Sequence, residues 1–239
     1  MVVGRIAEAE RAARSRGRAA DRTRWRLVAA RPAETDADSL EDKMNRVTPL
    51  TTEELIEAAP YLAQLRDSGV TLPTSFHVLG RRPRVLEAFQ PFFGSIMREG
   101  SVPPGLKQLI AHVVSRTAGC LYCQAHTGHF AHTLAGESYE RVEAVWSFET
   151  SDLYSDAERA ALRVARDSGG VPNAATDEQF DELRTHWSDS EIVEIVCVIS
   201  MFGFLNRFND TLANELEPDA VEFSDAHLAQ SGWTVGKHG

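Results

Sequence analysis

Cysteine is scarce in this chain, which has three among 239 residues. A disulfide-stapled secreted domain uses more cysteines, so that class of protein is excluded. Long apolar runs are also missing. The most apolar stretch, residues 192–205, contains Glu194 and is shorter than the roughly 20 residues that a membrane-spanning helix needs. We therefore expect a cytoplasmic protein with no membrane partner.

Charge is unevenly distributed along the sequence. The formal net charge is -10, from 25 basic and 35 acidic residues. Residues 1–31 contain nine arginines against three acids, a local balance of +6, so the rest of the chain carries -16. An acidic body repels phosphate groups, and we therefore expect no nucleic-acid partner.

The basic first segment, residues 1–44, has too few apolar residues to form a core, and it lacks the apolar run of a secretory signal. We expect a disordered extension there. Two alternatives stay open, namely a natural start at Met44 and an arm that binds nucleic acid or a membrane surface. The globular domain is expected at residues 45–217, followed by a loosely ordered C-terminal tail at 218–239.

Strand signals are absent from the body, which contains no alternating apolar pattern and no Asn-Gly or Asp-Gly turn. Helix signals are frequent. Three capping boxes pair a serine or threonine with Glu or Gln three residues later, beginning at Ser155, Thr176 and Ser188. The pattern predicts a single all-α domain, with helices at about 51–67, 83–98, 103–117, 119–134, a short helix from 138, and then 155–168, 176–186 and 188–212.

Chemically reactive side chains are concentrated in one segment, SRTAGCLYCQAHTGHFAH at residues 115–132. Cys120 and Cys123 are three residues apart, a spacing that puts both on one face at a helix start, close enough for a disulfide. Because free N–H groups and the dipole at a helix start favour a thiolate, we expect a lowered thiol pKa there. Cys197 lies among apolar residues and is expected to be a core thiol.

Other uses of a Cys-x-x-Cys pair fit less well. Covalent haem attachment needs a histidine directly after the second cysteine, where Gln124 stands. A zinc site using both cysteines with His126 and His129 would have to gather ligands spread over about 13 Å of one helix. A thioredoxin-like protein would place the motif after a strand, and none is predicted. The residues therefore indicate a dithiol site in a helical protein, with no metal.

Three polar side chains near the pair are candidate site residues, and the two histidines among them are candidates for proton transfer. His126 shares a helix face with Cys123, and its imidazole can accept a proton from a thiol. The preceding helix carries Gln108 and His112 on one stripe with Arg116. If that stripe faces the dithiol, His112 is a second candidate relay.

At these residues the sequence resembles the carboxymuconolactone decarboxylase superfamily, and in particular its AhpD-like alkylhydroperoxidase branch. The resemblance covers roughly residues 45–216. The Gly-Cys-x-Tyr-Cys-x-x-His core beginning at Gly119 carries it, with support from the helix that begins near Glu158 and from the segment Phe204–Asp210. The resemblance implies an AhpD-like helical bundle that forms a homo-oligomer, either a trimer or a hexamer.

The resemblance also implies an activity, that of an alkylhydroperoxidase-like peroxidase of the peroxiredoxin type. Cys123 would be the peroxidatic thiol that attacks a hydroperoxide, and Cys120 would resolve the sulfenic acid as an intramolecular disulfide. That redox-active disulfide would replace any bound cofactor. An external dithiol, such as a thioredoxin-like protein, would then reduce the pair.

Two positions depart from the family pattern. The relay glutamate of the family lies twelve residues before the first cysteine, where this chain has Gln108, and its histidine is often four residues after the second cysteine, where this chain has Thr127. Either His126 with His112 performs the relay, or the dithiol serves another redox task. Two further hypotheses stay open: a decarboxylase-like enzyme acting on a small lactone, and a non-enzymatic, redox-sensing helical oligomer.

Overall fold

The computed structural model of the chain describes residues 45–67 and 71–239. The extension predicted at residues 1–44 lies outside the described residues. Within them every regular element is a helix and no strand is present, so the predicted all-α class is confirmed. The α-helices are α1 Thr52–Ala58, α2 Ala63–Asp67, α3 Thr74–Leu79, α4 Pro83–Met97, α5 Pro104–Thr117, α6 Leu121–Thr133, α7 Tyr139–Ala144, α8 Asp156–Ser168, α9 Asp177–Arg184, α10 Asp189–Leu212 and α11 Pro218–His227.

Local capping explains where several of these helices begin. Ser155 before α8 accepts a hydrogen bond from the Glu158 backbone N–H at 3.3 Å, and the Glu158 carboxylate accepts one from the Ser155 N–H at 2.8 Å. The same reciprocal pair of bonds forms before α1, α9 and α10. Each box satisfies two backbone donors that the first turn leaves free, so the three boxes predicted from sequence are confirmed.

Helix α5 lies at the centre of the core, packed against α6, α8 and α10. The predicted apolar stripe of α5 is buried: Leu106, Leu109, Ile110, Val113 and Val114 are each at most 1% exposed. Burying a side chain of this kind contributes about 2 kcal/mol relative to leaving it in water. This packing fixes the position of the turn from α5 to α6, where the cysteine motif lies.

Two of the sequence-based expectations are wrong. The segment after Glu217 is not loosely ordered, because Pro218–His227 form helix α11, whose Ala220 and Phe223 are buried. The predicted first helix, 51–67, is interrupted at Ala59, where Pro60 begins a short 3-10 helix. Both errors have the same cause, since short helices with few apolar residues give weak periodic signals and depend on tertiary packing.

The described residues contain no helix that is both long enough and apolar enough to cross a membrane.

Candidate active site

The two cysteines of the motif lie at the start of α6. Gly119 has a φ of 73°, a left-handed conformation that glycine adopts without strain, and it turns the chain from α5 into α6. Cys120 is the N-cap residue, and its Sγ accepts a hydrogen bond from the Cys123 backbone N–H at 3.4 Å. Both thiols are free and at most 3% exposed. The turn therefore places the two sulfurs together at the helix start, as the spacing predicted.

Burial dominates the ionisation of Cys123. It raises the pKa of the Cys123 thiol well above its ordinary value, and the adjacent Cys120 raises that pKa further. The side-chain amide of Asn209 on α10 acts in the opposite direction, because its Nδ2 donates a hydrogen bond to Cys123 Sγ at 3.3 Å. The expectation that the helix start lowers this thiol's pKa is wrong, since removal from water outweighs the dipole here.

His126 is held by groups other than the cysteines. Its Nδ1 lies 3.0 Å from the Tyr122 carbonyl oxygen, and its Nε2 lies 2.7 Å from Glu217 Oε2. The Nε2–H is not well aligned with that oxygen, so the contact with Glu217 is an ion pair rather than a hydrogen bond of good geometry. Both ring nitrogens therefore face oxygen atoms, one from the backbone of α6 and one from Glu217.

Glu217 is the N-cap residue of α11, and it reaches the site from an element distant in sequence. Burial alone would raise the pKa of the Glu217 carboxyl, but His126 and the backbone N–H of Thr74 outweigh burial and leave that pKa below its usual value. The Tyr122 hydroxyl lies 3.5 Å from Glu217 Oε1 and accepts a hydrogen bond from the Ser75 N–H at 3.1 Å. Glu217 is therefore an anion paired with His126. Sequence reasoning missed it, because no motif links it to the cysteines.

Comparisons with known proteins identify a matching family and similar solved structures. The carboxymuconolactone decarboxylase family model matches residues 83–167. The apo structure of the debrominase Bmp8 is 33% identical, with a TM-score of 0.68 over 75% of this chain and 96% of Bmp8. A Bmp8 variant with one cysteine replaced by alanine, in complex with 2,3,4-tribromopyrrole, is 31% identical, with a TM-score of 0.69 over 79% of this chain and 99% of that one.

The chain belongs to the carboxymuconolactone decarboxylase/AhpD superfamily. A peroxidase-related protein with an AhpD core, from Ralstonia eutropha JMP134, shares 20% identity and a TM-score of 0.66 over 74% of this chain and 94% of that one, which shows the common fold. The uncharacterized protein YdfG of Bacillus subtilis (strain 168) is 26% identical over 119 residues, which are 49% of this chain and 80% of YdfG.

The two positions at which this superfamily member departs from the AhpD-like pattern are both occupied by uncharged side chains. The side-chain oxygen of Gln108 is buried without a hydrogen-bond partner. The Thr127 hydroxyl donates to the Cys123 carbonyl at 2.7 Å. Neither side chain can carry a proton as a carboxylate or imidazole does. In this member the carboxylate beside the histidine is Glu217, from α11.

His112, the second candidate relay, lies buried between α5 and α6. Its Nδ1 is 3.1 Å from the Gln124 carbonyl oxygen and 3.2 Å from Thr127 Oγ1. Burial lowers the pKa of His112 to about 4, against a smaller opposing effect of the Gln124 hydrogen bond. The imidazole is therefore neutral at pH 7 and contributes no positive charge to a thiolate.

Arg116 completes the predicted stripe of α5 but faces elsewhere. Its guanidinium donates to the Ser231 carbonyl at 2.7 Å and lies 4.5 Å from the centre of the Trp146 ring. The polar groups that contact the sulfurs and His126 thus come from α6, α10 and the start of α11.

A small cavity lies beside the His126–Glu217 pair. A cavity of about 30 Å³ is lined by these two residues and by His129 and Asp219. That volume accommodates one water molecule. No group of three or more histidine, cysteine or acidic side chains in the described part of the chain is arranged to hold a metal ion.

Proposed function

We propose that this protein is a two-thiol peroxidase that reduces hydroperoxides. The observation that carries the proposal is the placement of Cys120 and Cys123, both free and buried, in hydrogen-bonding contact at the start of α6. Two thiols in this arrangement can deliver two electrons and end as a disulfide without any other cofactor. The resemblance to the AhpD-like branch assigns Cys123 as the attacking thiol and Cys120 as the resolving one.

The proposed reaction has two steps. The Cys123 thiolate attacks the outer oxygen of the hydroperoxide, so that an S–O bond forms and the O–O bond breaks, which leaves a sulfenic acid and an alcohol. Cys120 then attacks the Cys123 sulfur, so that an S–S bond forms and water leaves. One hydroperoxide and two thiols yield one alcohol, one water and one disulfide. An external dithiol, such as a thioredoxin-like protein, returns the pair to the thiol state.

The leaving alkoxide needs a proton, and His126 is the proposed donor. Its Nε2 lies 2.7 Å from the Glu217 carboxylate, and both side chains are about nine-tenths buried. A residue that protonates the leaving oxygen does not need to contact the sulfur. The contacts of the His126 ring with Glu217 and with the Tyr122 carbonyl are therefore compatible with this role. Because burial raises the pKa of Cys123, we expect the rate to rise with pH above 7 as more thiolate forms.

A second candidate reaction is reductive debromination of an aromatic heterocycle. It is favoured by the likeness to the debrominase Bmp8, which this chain matches over 96% of the Bmp8 length at 33% identity. The electron count is the same: the C–Br bond breaks, a C–H bond forms, bromide leaves, and the two thiols become a disulfide. The two candidates therefore share Cys120 and Cys123 and differ in the acceptor.

Single-turnover measurements with the fully reduced chain test the proposal. The protein is mixed without oxygen with hydrogen peroxide, cumene hydroperoxide or 2,3,4-tribromopyrrole, and remaining thiols are counted after denaturation. We expect two thiols lost per hydroperoxide consumed, in the parent and in Cys197→Ser. Loss only with the tribromopyrrole would favour debromination. No loss with any acceptor would contradict both candidates.

The same preparation separates the remaining hypotheses. A decarboxylase-like enzyme would turn over a small lactone even after replacement of Cys120 and Cys123 by serine. A redox sensor would form a reversible disulfide that changes assembly or partner binding without turnover.

We also propose that the chain forms a homo-oligomer, a trimer or a hexamer as the resemblance implies. Four large apolar side chains on α4 and α10 are exposed, namely Val85 at 40%, Phe92 at 53%, Val193 at 61% and Phe204 at 46%. Sedimentation equilibrium of the parent and of Phe204→Glu tests this, and a monomeric parent would contradict it.

A further inference from the structure

A buried row of amides leads from the reactive sulfur to the end of α10 and beyond it. Asn209 on α10 is 2% exposed, and its Nδ2 lies 3.3 Å from Cys123 Sγ. Asn214, at 0% exposure, donates from its own Nδ2 to Asn209 Oδ1 at 2.8 Å. The Asn214 amide restrains Asn209, because turning Asn209 alone would place its NH₂ group against the NH₂ group of Asn214.

In the structure the NH₂ end of the Asn209 amide faces the sulfur. An asparagine side chain presents an oxygen acceptor at one end and an NH₂ donor at the other. Since the Asn209 oxygen accepts from Asn214, its NH₂ group is the end directed at Cys123. Cys123 therefore receives a hydrogen-bond donor and not a competing acceptor.

The chain after α10 holds Asn214 in this position. Ala213 has φ 50° and ψ 47°, a left-handed conformation that ends α10 and turns the backbone back over Asn209. The Asn214 N–H donates to the Asn209 carbonyl at 3.2 Å, and the Asn214 carbonyl accepts from His238 Nδ1 at 2.7 Å. His238 is fully buried. A non-glycine residue in the left-handed region is strained, and these bonds hold it there.

The charge distribution around Cys123 shows what this donor does. Burial, the neighbouring Cys120 and the negative charge of Asp210 all disfavour a thiolate, and the Asn209 hydrogen bond opposes them. Tyr122 is the other titratable group that faces this thiol, and burial and Glu217 raise its pKa well above the ordinary value, so it adds no charge. Hydrogen bonds to an ionised acceptor are stronger than those to a neutral one, so the amide stabilises the thiolate more than the thiol.

We propose that Asn209 is a catalytic residue that stabilises the Cys123 thiolate, and that Asn214 and His238 are positioning residues that aim its amide. The proposal rests on the proposed function in one respect, which is that Cys123 reacts as a thiolate. It adds a residue to the site that belongs to α10 rather than to the cysteine motif.

The test is the pH dependence of Cys123 alkylation in the full-length, reduced protein. Iodoacetamide modifies thiolates, and peptide mass spectrometry reports Cys123 separately from Cys120 and Cys197. Asn209→Leu removes the donor at nearly constant volume. We expect it to shift the titration midpoint upward by about one pH unit, which slows alkylation at pH 7 about tenfold.

Asn206→Leu is the matched control. Asn206 lies one turn earlier on α10, is also 2% exposed, and has no hydrogen-bond partner for its side-chain atoms. We expect the pH midpoint of Cys123 alkylation in Asn206→Leu to stay within a few tenths of a pH unit of the parent value. Equal shifts in the two variants, or no shift in Asn209→Leu, would overturn the proposal.

Asn214→Ala keeps the test decisive if Asn209→Leu does not fold. This variant keeps the Asn209 amide but removes the hydrogen bond that the Asn209 oxygen accepts from Asn214. We expect alkylation to slow less than in Asn209→Leu, about threefold at pH 7. An unchanged rate would contradict the positioning role. These readouts require no substrate, so an upward shift without any peroxide-dependent thiol loss would sustain this inference while the proposed function fails.

Discussion

The two sides of the first turns of α6 differ in chemistry although both are buried. On one side, Cys123 meets the uncharged amide of Asn209, and burial holds the pKa of Cys123 well above its ordinary value. On the other side, His126 meets the carboxylate of Glu217 at 2.7 Å, and the pKa of Glu217 lies below its ordinary value.

The difference shows that, at this site, the hydrogen-bonding and charged partners of a group decide the direction of its pKa shift, since both groups are buried. Glu217 has a histidine and backbone N–H donors, which together outweigh its desolvation. Cys123 has one amide, which does not. In the proposed reaction the sulfur side supplies the electrons and the histidine side supplies a proton, with one helical turn between them.

The largest expected effect comes from removing the sulfur side. Cys123→Ser should lower peroxide-dependent turnover by at least about 1,000-fold, because a serine hydroxyl is a far weaker nucleophile than a thiolate. Turnover is followed by consumption of dithiothreitol. Cys197→Ser, which changes the thiol outside the site, should retain the parent rate. A Cys123→Ser rate within tenfold of the parent would contradict the assignment.

Removing the charge on the histidine side should have the next largest effect on turnover. Glu217→Gln keeps the shape but leaves His126 without its anion, and we expect kcat to fall about 100-fold. Asp219→Asn is the control, because Asp219 lines the same small cavity. Equal losses in the two variants would indicate a general effect of charge.

Glu217→Gln should also change the dependence of stability on pH. Because folding lowers the pKa of Glu217, its contribution to the free energy of unfolding is present above the unfolded value of about 4.3 and is lost as pH falls through the folded value. Urea unfolding should therefore show the variant less stable than the parent at pH 7, with the gap narrowing in acid. A gap independent of pH would contradict the ion pair.

His112 provides a smaller test, since it packs behind the sulfur side as a neutral group. Its pKa of about 4 in the folded state lies below the unfolded value of about 6.5, so the unfolded chain binds more protons between these values and stability is lost as pH falls through that window. From pH 7.5 to 5 we expect this group to cost about 2 kcal/mol of unfolding free energy.

The variant His112→Gln checks that assignment, because glutamine does not titrate. Its urea-unfolding free energy should fall by about 2 kcal/mol less than that of the parent over the same pH range. If the two proteins lose stability in parallel, His112 does not behave as a buried neutral imidazole.

Local features of the fold could be predicted from the sequence, whereas the partners at the site could not. The boxes at Ser155, Thr176 and Ser188 involve residues three positions apart, so the sequence contains all of their determinants. The helix-start position of Cys120 and Cys123 is local in the same sense. Glu217, by contrast, reaches His126 only when α11 packs against α6.

The errors in the electrostatic prediction have a related cause. The dipole argument for Cys123 used only the backbone of its own helix, while the pKa depends on burial by the surrounding helices and on Asn209 from α10. The segment containing Asn209 supported the resemblance, but nothing in its letters shows that the amide reaches a sulfur. His112 of α5 contacts the Gln124 carbonyl and the Thr127 hydroxyl of α6 rather than a sulfur, and burial makes it neutral.

The most direct test of the account is to identify the bond formed when the reduced protein meets one equivalent of cumene hydroperoxide. After alkylation of the remaining thiols and digestion without reductant, mass spectrometry should find Cys120 and Cys123 joined in one disulfide and Cys197 alkylated. We expect one such disulfide per molecule of cumyl alcohol released. Alcohol release with both motif cysteines still alkylated, or with the oxidation located on Cys197, would contradict it.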